Sequence, residues 1–154
     1  MAVEKVKVFF EGTGLSVIEL PESSATVQLA AEALGTEPDE IAKTLSFLID
    51  DQPILIVMAG LGRVDNHKYK ETFHKKAAMI PPDKVEEYIG HAPGGVCPFA
   101  VKPGVKVYLD ESLKRHSVVY PAAGSSNSAV KMTIEELERY SGFESWVDVT
   151  KPME

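Results

Sequence analysis

The chain has 154 residues, of which 44% are hydrophobic and 25% charged, and it carries a net charge of −7. This length lets one core bury roughly 70% of the unfolded surface, so we predict a single domain over residues 1–154. No apolar run approaches the ~20 residues of a membrane span, the charged N-terminus is not a secretory signal, and one cysteine excludes an internal disulfide framework.

The first half of the chain begins with a helix, a short strand and a second helix. VEKVKVFF has apolar residues at helical spacing, and LSVIEL then predicts a strand that Pro21 ends. In SSATVQLAAEALG, a cap at Ser23 or Ser24 predicts a helix that ends at Gly35. This order already indicates a mixed α/β chain.

The next segment, TEPDEIAKTLSFLID, predicts a change from helix to strand. Thr36 or Asp39 is a candidate cap for one or two helical turns, and the strand is predicted from Leu45 or Ser46 to Ile49. A turn at DDQP leads into ILIVMAG, a continuous apolar run typical of a strand that is buried on both faces.

The second half alternates in the same irregular way. DNHKYKETFH, PPDKVEEYIG and TIEELERY predict helices, the last with a capping box between Thr133 and Glu136. VKVYL, HSVVYPA, SAVKMT and SWVDVT have the β-branched and aromatic content of strands. Because strands and helices do not alternate strictly, we expect an α+β arrangement, a mixed sheet with flanking helices, rather than a doubly wound one.

Cys97 and His91 lie in the loop GHAPGGVCPFAVKPG and could form a thiolate dyad. Cys97 stands in an apolar run, however, where a buried thiol acts as a small hydrophobe. His67 and His74 are seven residues apart, too far for the usual helical chelate, and the carboxylates show no ligand pattern. We therefore expect no metal and no other cofactor.

Lys43 and two loops are stronger candidates for a ligand-binding site. A lysine among apolar residues either extends to solvent or supplies a compact cation inside a cleft. The loop at 90–104 combines glycine freedom with proline rigidity, which lets backbone groups approach a ligand closely. The loop PAAGSSNSA at 121–129 is either a polar hairpin loop or a second wall of such a site.

A basic segment from Arg63 to Lys76 stands out against the acidic remainder of the chain, with five Lys/Arg and two Asp/Glu. The net negative charge argues against non-specific coating of nucleic acid, and we expect no DNA or membrane partner. A local basic segment could still contact one nucleic-acid end, and the alternative is a solvated helix face. The candidate phosphate-contacting residues are Lys68, Lys70, Lys75 and Lys76.

Three segments, read in order, resemble the YbaK/prolyl-tRNA-synthetase-associated domain family: SSATVQLAAEALGTEPDEIAKTL, GGVCPF and AAGSSNSAVKMTIEEL. The resemblance covers about residues 16–149. It implies one mixed α/β domain with a largely closed sheet, in which the lysine of KTL, Lys43, and the backbone of Gly94 are catalytic. The substrate-binding residues that it implies are Thr26, Gly95, Val96, Cys97, Pro98, Gly124, Ser125, Ser126 and Asn127.

The resemblance further implies a cytoplasmic deacylase that hydrolyses mischarged tRNA, with an aminoacyl-tRNA end and an aminoacyl-tRNA synthetase as partners. The expected substrate is a proline-accepting tRNA that carries a small residue such as Ala, Cys or Ser. Family members use the 2′-hydroxyl of the substrate to activate water, which fits a sequence without an acid/base pair. Cys97 stands where Ser or Thr is commoner in the family, and Ala100 where glycine often follows.

Two other functions fit the same residues. A non-catalytic module could bind a tRNA end or a partner protein in this cleft without hydrolysis. The cleft could also hydrolyse some other small ester or nucleotide.

Overall fold

The computed structural model describes residues 2–21 and 26–152, so the predicted caps at Ser23 and Ser24 lie outside the described residues. The helices are α1 (Ala2–Phe9), α2 (Val27–Leu34), α3 (Asn66–Phe73), α4 (Val85–Ile89) and α5 (Ile134–Ser141). The strands are β1 (Val17–Glu19), β2 (Ile41–Ile49), β3 (Gln52–Ala59), β4 (Lys106–Asp110), β5 (Val118–Pro121), β6 (Ser128–Val130), β7 (Met132–Thr133) and β8 (Ser145–Val147). Short 3-10 turns occupy Pro38–Glu40, Pro82–Lys84 and Glu111–Arg115.

Six strands form one mixed sheet in the order β7-β5-β2-β3-β4-β8, and β1 and β6 form a separate antiparallel pair. A bridge between Ala122 and Ala129 connects β6 to the end of β5. The predicted mixed sheet with flanking helices is confirmed. Closure is incomplete, because β7 and β8 stand at opposite edges of a curled half-barrel.

The β2–β3 hairpin is the centre of the sheet. Asp50 and Asp51 both have positive φ, 47° and 66°, which is the backbone of a type I′ turn, and Ile49 pairs with Gln52. The run ILIVMA in β3 is buried at every position from Ile54 onward. The sequence prediction of a strand covered on both faces is therefore confirmed.

The strand predictions were wrong in several bounds, of which β2 and SAVKMT are the clearest cases, while SWVDVT is a strand only over Ser145–Val147. β2 begins at Ile41, four residues before the earliest predicted start, because Ile41 and Ala42 pair with Tyr120 and Pro121 of β5. This tertiary pairing overrides the local helical pattern. SAVKMT is divided into β6 and β7, since the two halves pair with different strands, β1 and β5.

The apolar core lies on both faces of the sheet. One face packs against α1, α4, α5 and the 90–104 loop, and the other packs against α2 and α3. Along β2, Ile41 contacts the cluster below α2, and Leu45 contacts the cluster below α3. Lys43 lies between these two residues on the same face, because side chains alternate along a strand. No helix within 2–21 or 26–152 has the length and apolar character that crossing a membrane requires.

Candidate functional site

A cleft of about 270 Å³ opens between α2, β2, β5 and two loops. Of the site residues that the sequence predicts, it brings together Thr26, Lys43, Gly94, Val96 and Ser125. Gly95, Cys97, Pro98, Gly124, Ser126 and Asn127 are not among the residues that line it. The lining residues that sequence reasoning missed are Val27, Ala30, Leu34, Ile41, Ala42, Thr44, Leu45, Tyr120, Ala122, Ser128 and Ala129.

The cleft contains a partly buried ammonium group on Lys43. Its Nζ makes no hydrogen bond and no ion pair with any residue of 2–21 or 26–152. Burial lowers the pKa of Lys43, and the nearby positive charge of Arg63 lowers it further, while Asp39 opposes this effect. A partly desolvated cation without a hydrogen-bonded or ion-paired partner favours a negatively charged or carbonyl-bearing ligand.

Two glycine loops meet beside the cleft. The Gly124 N–H donates to the Gly95 carbonyl over 3.1 Å. A Cβ on Gly95 would lie 2.5 Å from the Ser125 nitrogen and 2.6 Å from the Gly124 carbonyl carbon, so only glycine permits this approach. Gly94 and Gly124 themselves have φ values of 92° and 95°. The two loops therefore form one backbone wall, which the sequence presented as two separate segments.

The serine loop is held by its own side chains. The Ser125 hydroxyl donates to the Asn127 Oδ1 at 2.9 Å and lies 2.7 Å from the Ser128 Oγ. The Asn127 Nδ2 donates to the Leu20 carbonyl over 2.9 Å, and the Leu20 N–H donates back to the Asn127 carbonyl over 2.7 Å. Asn127 thus anchors the loop to the end of β1, and Ser125 faces the cleft.

Thr26 caps the helix that forms the other wall of the cleft. Its Oγ1 accepts from the Leu29 N–H at 3.1 Å, which satisfies one free donor of the first turn of α2. Gly35 ends this helix with a φ of 69°, as the sequence predicts. Thr26, rather than the predicted Ser23 or Ser24, is therefore the cap of α2, and it also lines the cleft.

Cys97 and His91 do form a contact, but it lies in the core. The Cys97 Sγ is 3.5 Å from the His91 Nε2, and both side chains have no exposed surface. Burial raises the pKa of Cys97 to about 12, and burial also lowers the pKa of His91. The His91 Nε2 is already 2.7 Å from the Phe99 carbonyl, to which it donates. This pair holds the 90–104 loop in the core and is not built as a thiolate nucleophile.

Replacing the thiol tests this assignment. If the cleft hydrolyses an aminoacyl ester, as the family resemblance implies, we expect Cys97→Ser to keep the rate within about threefold of the wild type, because the thiol lies outside the cleft. The same change should lower stability by about 1–2 kcal/mol, since it buries a hydroxyl where a weakly polar thiol packed. Deacylation rates and thermal unfolding would be measured on the same preparation. Complete loss of activity in a folded Cys97→Ser variant would restore the thiol mechanism.

A buried ion-pair cluster, which sequence reasoning missed, fixes the entry into β2. Asp39 is 6% exposed and accepts from Arg115 at 2.9 Å and from the His116 Nε2 at 2.6 Å. Burial by itself would raise the pKa of Asp39, but the hydrogen bonds from Arg115, His116 and the Leu61 N–H lower it below its ordinary value. The prediction of Thr36 or Asp39 as the helix cap was wrong, because Glu37 occupies that position.

Gly60, directly after β3, allows the Pro38–Asp39 backbone and the first residue of α2 to pack closely against the chain. Its N–H donates to the Asp39 carbonyl over 3.3 Å. A Cβ at Gly60 would lie 2.0 Å from the Pro38 carbonyl oxygen and 2.9 Å from the Val27 Cγ1. Because Val27 lines the cleft, this close packing at Gly60 helps to position the α2 wall.

The basic segment extends from the end of β3 through α3. Lys68 donates to the Asp148 carboxylate over 3.1 Å and to the Thr150 carbonyl over 2.9 Å, and Lys75 lies 3.4 Å from Asp50. The side chains of Lys70 and Lys76 are exposed and have no partner in the described ranges. Two of the four predicted phosphate-contacting lysines thus already have acidic partners on the protein.

Within residues 2–21 and 26–152, no group of three or more His, Cys, Asp or Glu side chains is placed to hold a metal ion. His67 instead pairs with Glu71 of the same helix at 2.7 Å. The polar groups at the cleft are an ammonium, hydroxyls and backbone amides.

A small mixed α/β fold with an unpaired cation and a glycine backbone wall at one cleft defines a class of small ligand-binding or hydrolytic domains. The model of the aminoacyl-tRNA editing domain matches residues 21–140, and the chain belongs to this family. It is 50% identical over 139 residues to YwhH of Bacillus subtilis, a protein without an assigned function, and the match spans 90% of this chain and 88% of that one.

Two further comparisons connect the fold with prolyl-tRNA synthetases. A crystal structure of a protein described as a candidate trans-editing enzyme for prolyl tRNA synthetase superposes with a TM-score of 0.88 and 30% identity over 98% of both chains. The proline–tRNA ligase of Lactiplantibacillus plantarum is 27% identical over 80% of this chain. The match spans only 22% of that ligase, so this chain corresponds to one segment of a much longer enzyme. The protein is thus an aminoacyl-tRNA editing domain related to prolyl-tRNA synthetase trans-editing proteins.

Proposed function

We propose that this protein is a trans-acting deacylase that hydrolyses the ester bond of mischarged tRNA. The observation that carries the proposal is the unpaired Lys43 ammonium, which faces a small cleft beside the Gly94–Val96 backbone. An aminoacyl ester is already activated, so its hydrolysis requires orientation and stabilisation of an oxyanion more than a strong base. The family membership of the chain supports the same reaction.

The proposed substrate is a proline-accepting tRNA that carries Ala, Cys or Ser. Small side chains line the cleft at Ala30, Ala42, Ala122 and Ala129, and they leave apolar space beside Lys43 in which a small aminoacyl group would fit. Editing of this kind serves a synthetase because a difference of one methylene or hydroxyl is worth only about 1–3 kcal/mol in its own pocket. The similarity to proline–tRNA ligases favours that tRNA and a prolyl-tRNA synthetase as the partner that delivers it.

In the proposed mechanism, water attacks the ester carbonyl carbon and the bond to the 3′-oxygen breaks. The amino acid leaves as a carboxylate, the 3′-oxygen takes up one proton of the water, and the other proton passes to solvent. Lys43 stabilises the negative charge that develops on the carbonyl oxygen, and the Gly94 backbone positions the ester and its water. The 2′-hydroxyl of the terminal adenosine assists the water, since the lining residues within 2–21 and 26–152 include no carboxylate and no histidine.

A panel of labelled aminoacyl-tRNAs tests the proposal directly. We expect release of the amino acid from one or more small-residue aminoacyl-tRNAs and little release from correctly charged Pro-tRNA. Lys43→Ala is the matched loss-of-function variant. Release no faster than spontaneous hydrolysis from every substrate, or undiminished release by Lys43→Ala, would refute the deacylase.

A second candidate function is a non-catalytic module that binds a tRNA end or a partner protein. Among the described residues that line the cleft there is no carboxylate or imidazole, which favours this module. Saturable binding of aminoacyl-tRNA without turnover would identify this module. Turnover of free small esters without turnover of aminoacyl-tRNA would instead identify a different hydrolase.

For binding of the acceptor stem, we expect Lys70 and Lys76 to contribute most, because their ammonium groups have no partner within 2–21 and 26–152. The double change to glutamine should weaken tRNA binding and reduce the slope of log K against log salt by roughly 1 to 2. Changing Lys68 and Lys75 together is the matched control and should have a smaller effect, because Asp148 and Asp50 already partner them. Equal binding and an unchanged slope in both variants would mean that the segment from Arg63 to Lys76 is a solvated surface without a role in tRNA binding.

A further inference from the structure

The edge of β2 that faces β5 is interrupted at a single residue, Thr44. Ala42 is the last residue of β2 that pairs with β5. Further along, Ser46 accepts from the Ile80 N–H over 3.1 Å, and the Leu48 N–H donates to the Ala78 carbonyl over 2.9 Å. Thr44 lies between these two paired stretches.

The backbone groups of Thr44 point into this gap. Residues two apart along a strand direct their N–H and C=O to the same edge, so Thr44 shares the direction of Ala42, Ser46 and Leu48. The opposite edge of β2 is occupied by β3, in a register that places Thr44 across from Val57 in a non-hydrogen-bonded pair. Neither backbone group of Thr44 has a partner in the described parts of the chain, and its buried Oγ1 has none either.

The gap coincides with the cleft. Thr44 lines it together with Lys43, its neighbour in β2. The Gly94 and Ser125 loops lie across the same opening. A backbone N–H and C=O left unpaired beside a cleft are groups that a ligand can satisfy, because buried backbone groups are almost always paired in the functional complex.

We infer that Thr44 binds the aminoacyl group as a neighbouring strand residue would, an inference that rests on the proposed deacylase function. An aminoacyl ester has the same N–Cα–C=O order as a residue of a chain. Its α-ammonium donates to the Thr44 carbonyl, and its ester carbonyl accepts from the Thr44 N–H, which is the two-bond pairing of an antiparallel sheet. The Thr44 N–H then adds a donor to the oxygen on which Lys43 stabilises negative charge.

This pairing recognises the common part of every aminoacyl group. It leaves the side chain of the substrate to the apolar lining and gives selectivity for a charged over an uncharged tRNA. It also requires a free α-amino group, so a chain end with the same ester but no amino group should bind more weakly.

The test uses two stable analogues, 3′-(alanylamino)-3′-deoxyadenosine and its propionylamino counterpart, which lacks the α-amino group. We expect the alanyl compound to bind at least tenfold more tightly, because only it can donate to the Thr44 carbonyl. In amide NMR spectra of the full chain, the Thr44 resonance should move with both compounds. The Leu48 amide, already bonded to Ala78, is the internal control and should not move.

Thr44→Val separates the backbone from the side chain, since it keeps the β-branched shape and removes only the hydroxyl. The preference for the alanyl compound should persist in this variant. Equal affinities of the two analogues, binding without movement of the Thr44 amide, loss of the preference in Thr44→Val, or no binding of either compound would each overturn the inference. Deacylation of aminoacyl-tRNA alongside equal affinities would leave the proposed function standing, and analogue preference without deacylation would support the pairing in a non-catalytic domain.

Discussion

Replacing Lys43 with methionine should reduce deacylation at least 100-fold while leaving the fold intact. Methionine keeps the length and apolar stem of the side chain and removes only the charge that faces the cleft. Loss of one oxyanion-stabilising group of this kind costs about 100- to 1,000-fold in rate. Single-turnover hydrolysis of a mischarged tRNA, with spontaneous hydrolysis subtracted, measures the effect.

The same variant should unfold at an equal or higher temperature than the wild type. The pKa of Lys43 is lowered in the folded protein, first by burial and then by Arg63. The unfolded chain therefore binds this proton more tightly, and the group opposes folding until the pH rises past its lowered pKa towards its ordinary value. The stability gained by the wild type over this pH range should be absent from Lys43→Met.

Activity, unlike stability, should fall as the pH rises past the lowered pKa of Lys43, because the ammonium form carries the charge that the reaction needs. The enzyme-dependent rate should fall at a lower pH than an ordinary lysine would give, since the pKa is lowered. Lys43→Arg remains charged and should lack this fall, at whatever rate its different shape allows. A folded Lys43→Met variant with wild-type deacylation would exclude Lys43 from the mechanism.

The sequence predicted the elements of this fold better than their bounds. Capping patterns and glycine ends are local, so the helix ending at Gly35 and the capping box of Thr133 and Glu136 both appear as expected. The start of β2 was wrong because its first two residues become a strand only through pairing with β5. Pairing between distant segments leaves no signal in the local pattern.

The site was predictable where a motif names a residue, as for Lys43, and not where folding brings small side chains together. Ala30, Ala42 and Ala122 are unremarkable in the sequence, and they face the cleft only because α2, β2 and β5 meet there. Asp39 was only one of two candidate caps in the sequence, since its partners Arg115 and His116 are more than 70 positions away and leave no local signal. The gap at Thr44 depends on two strand pairings and has no signature of its own.

Cys97 is the opposite case, a residue that stands out in the sequence but does not line the cleft. Reactive residue types drew attention to the 90–104 loop, but the part of it that reaches the cleft wall is the glycine backbone that contacts the second loop. The thiol and the imidazole serve to hold that backbone against the core.

The second large effect is expected from a single methyl group at Gly95. The Cβ of Gly95→Ala would lie 2.5 Å from the Ser125 nitrogen and 2.7 Å from its Cα, and neither backbone atom can move without displacing the loop. We expect a loss of about 2 kcal/mol or more in stability, since overpacking in a close-packed region costs about 1–3 kcal/mol. Deacylation should fall at least tenfold even at temperatures where the variant is folded, because an ångström of displacement at a reacting ester is costly.

Gly104→Ala is the matched control, since the added Cβ there meets nothing within 4 Å and the residue does not line the cleft. Its φ of 90° makes alanine strained, so this variant should lose about 1–2 kcal/mol of stability and keep its activity.

The activities of the two variants are compared under conditions in which equal fractions of each are folded. This comparison separates a loss of stability from a displacement of the glycine backbone wall. If Gly95→Ala keeps wild-type deacylation, contact between the loops is not what positions the ester, and the wall must act through Gly94 alone. If both variants lose activity in proportion to stability, the effect at Gly95 belongs to folding. Loss of activity confined to Gly95→Ala would place the joined Gly95 and Gly124 backbones in the machinery that holds the substrate against Lys43.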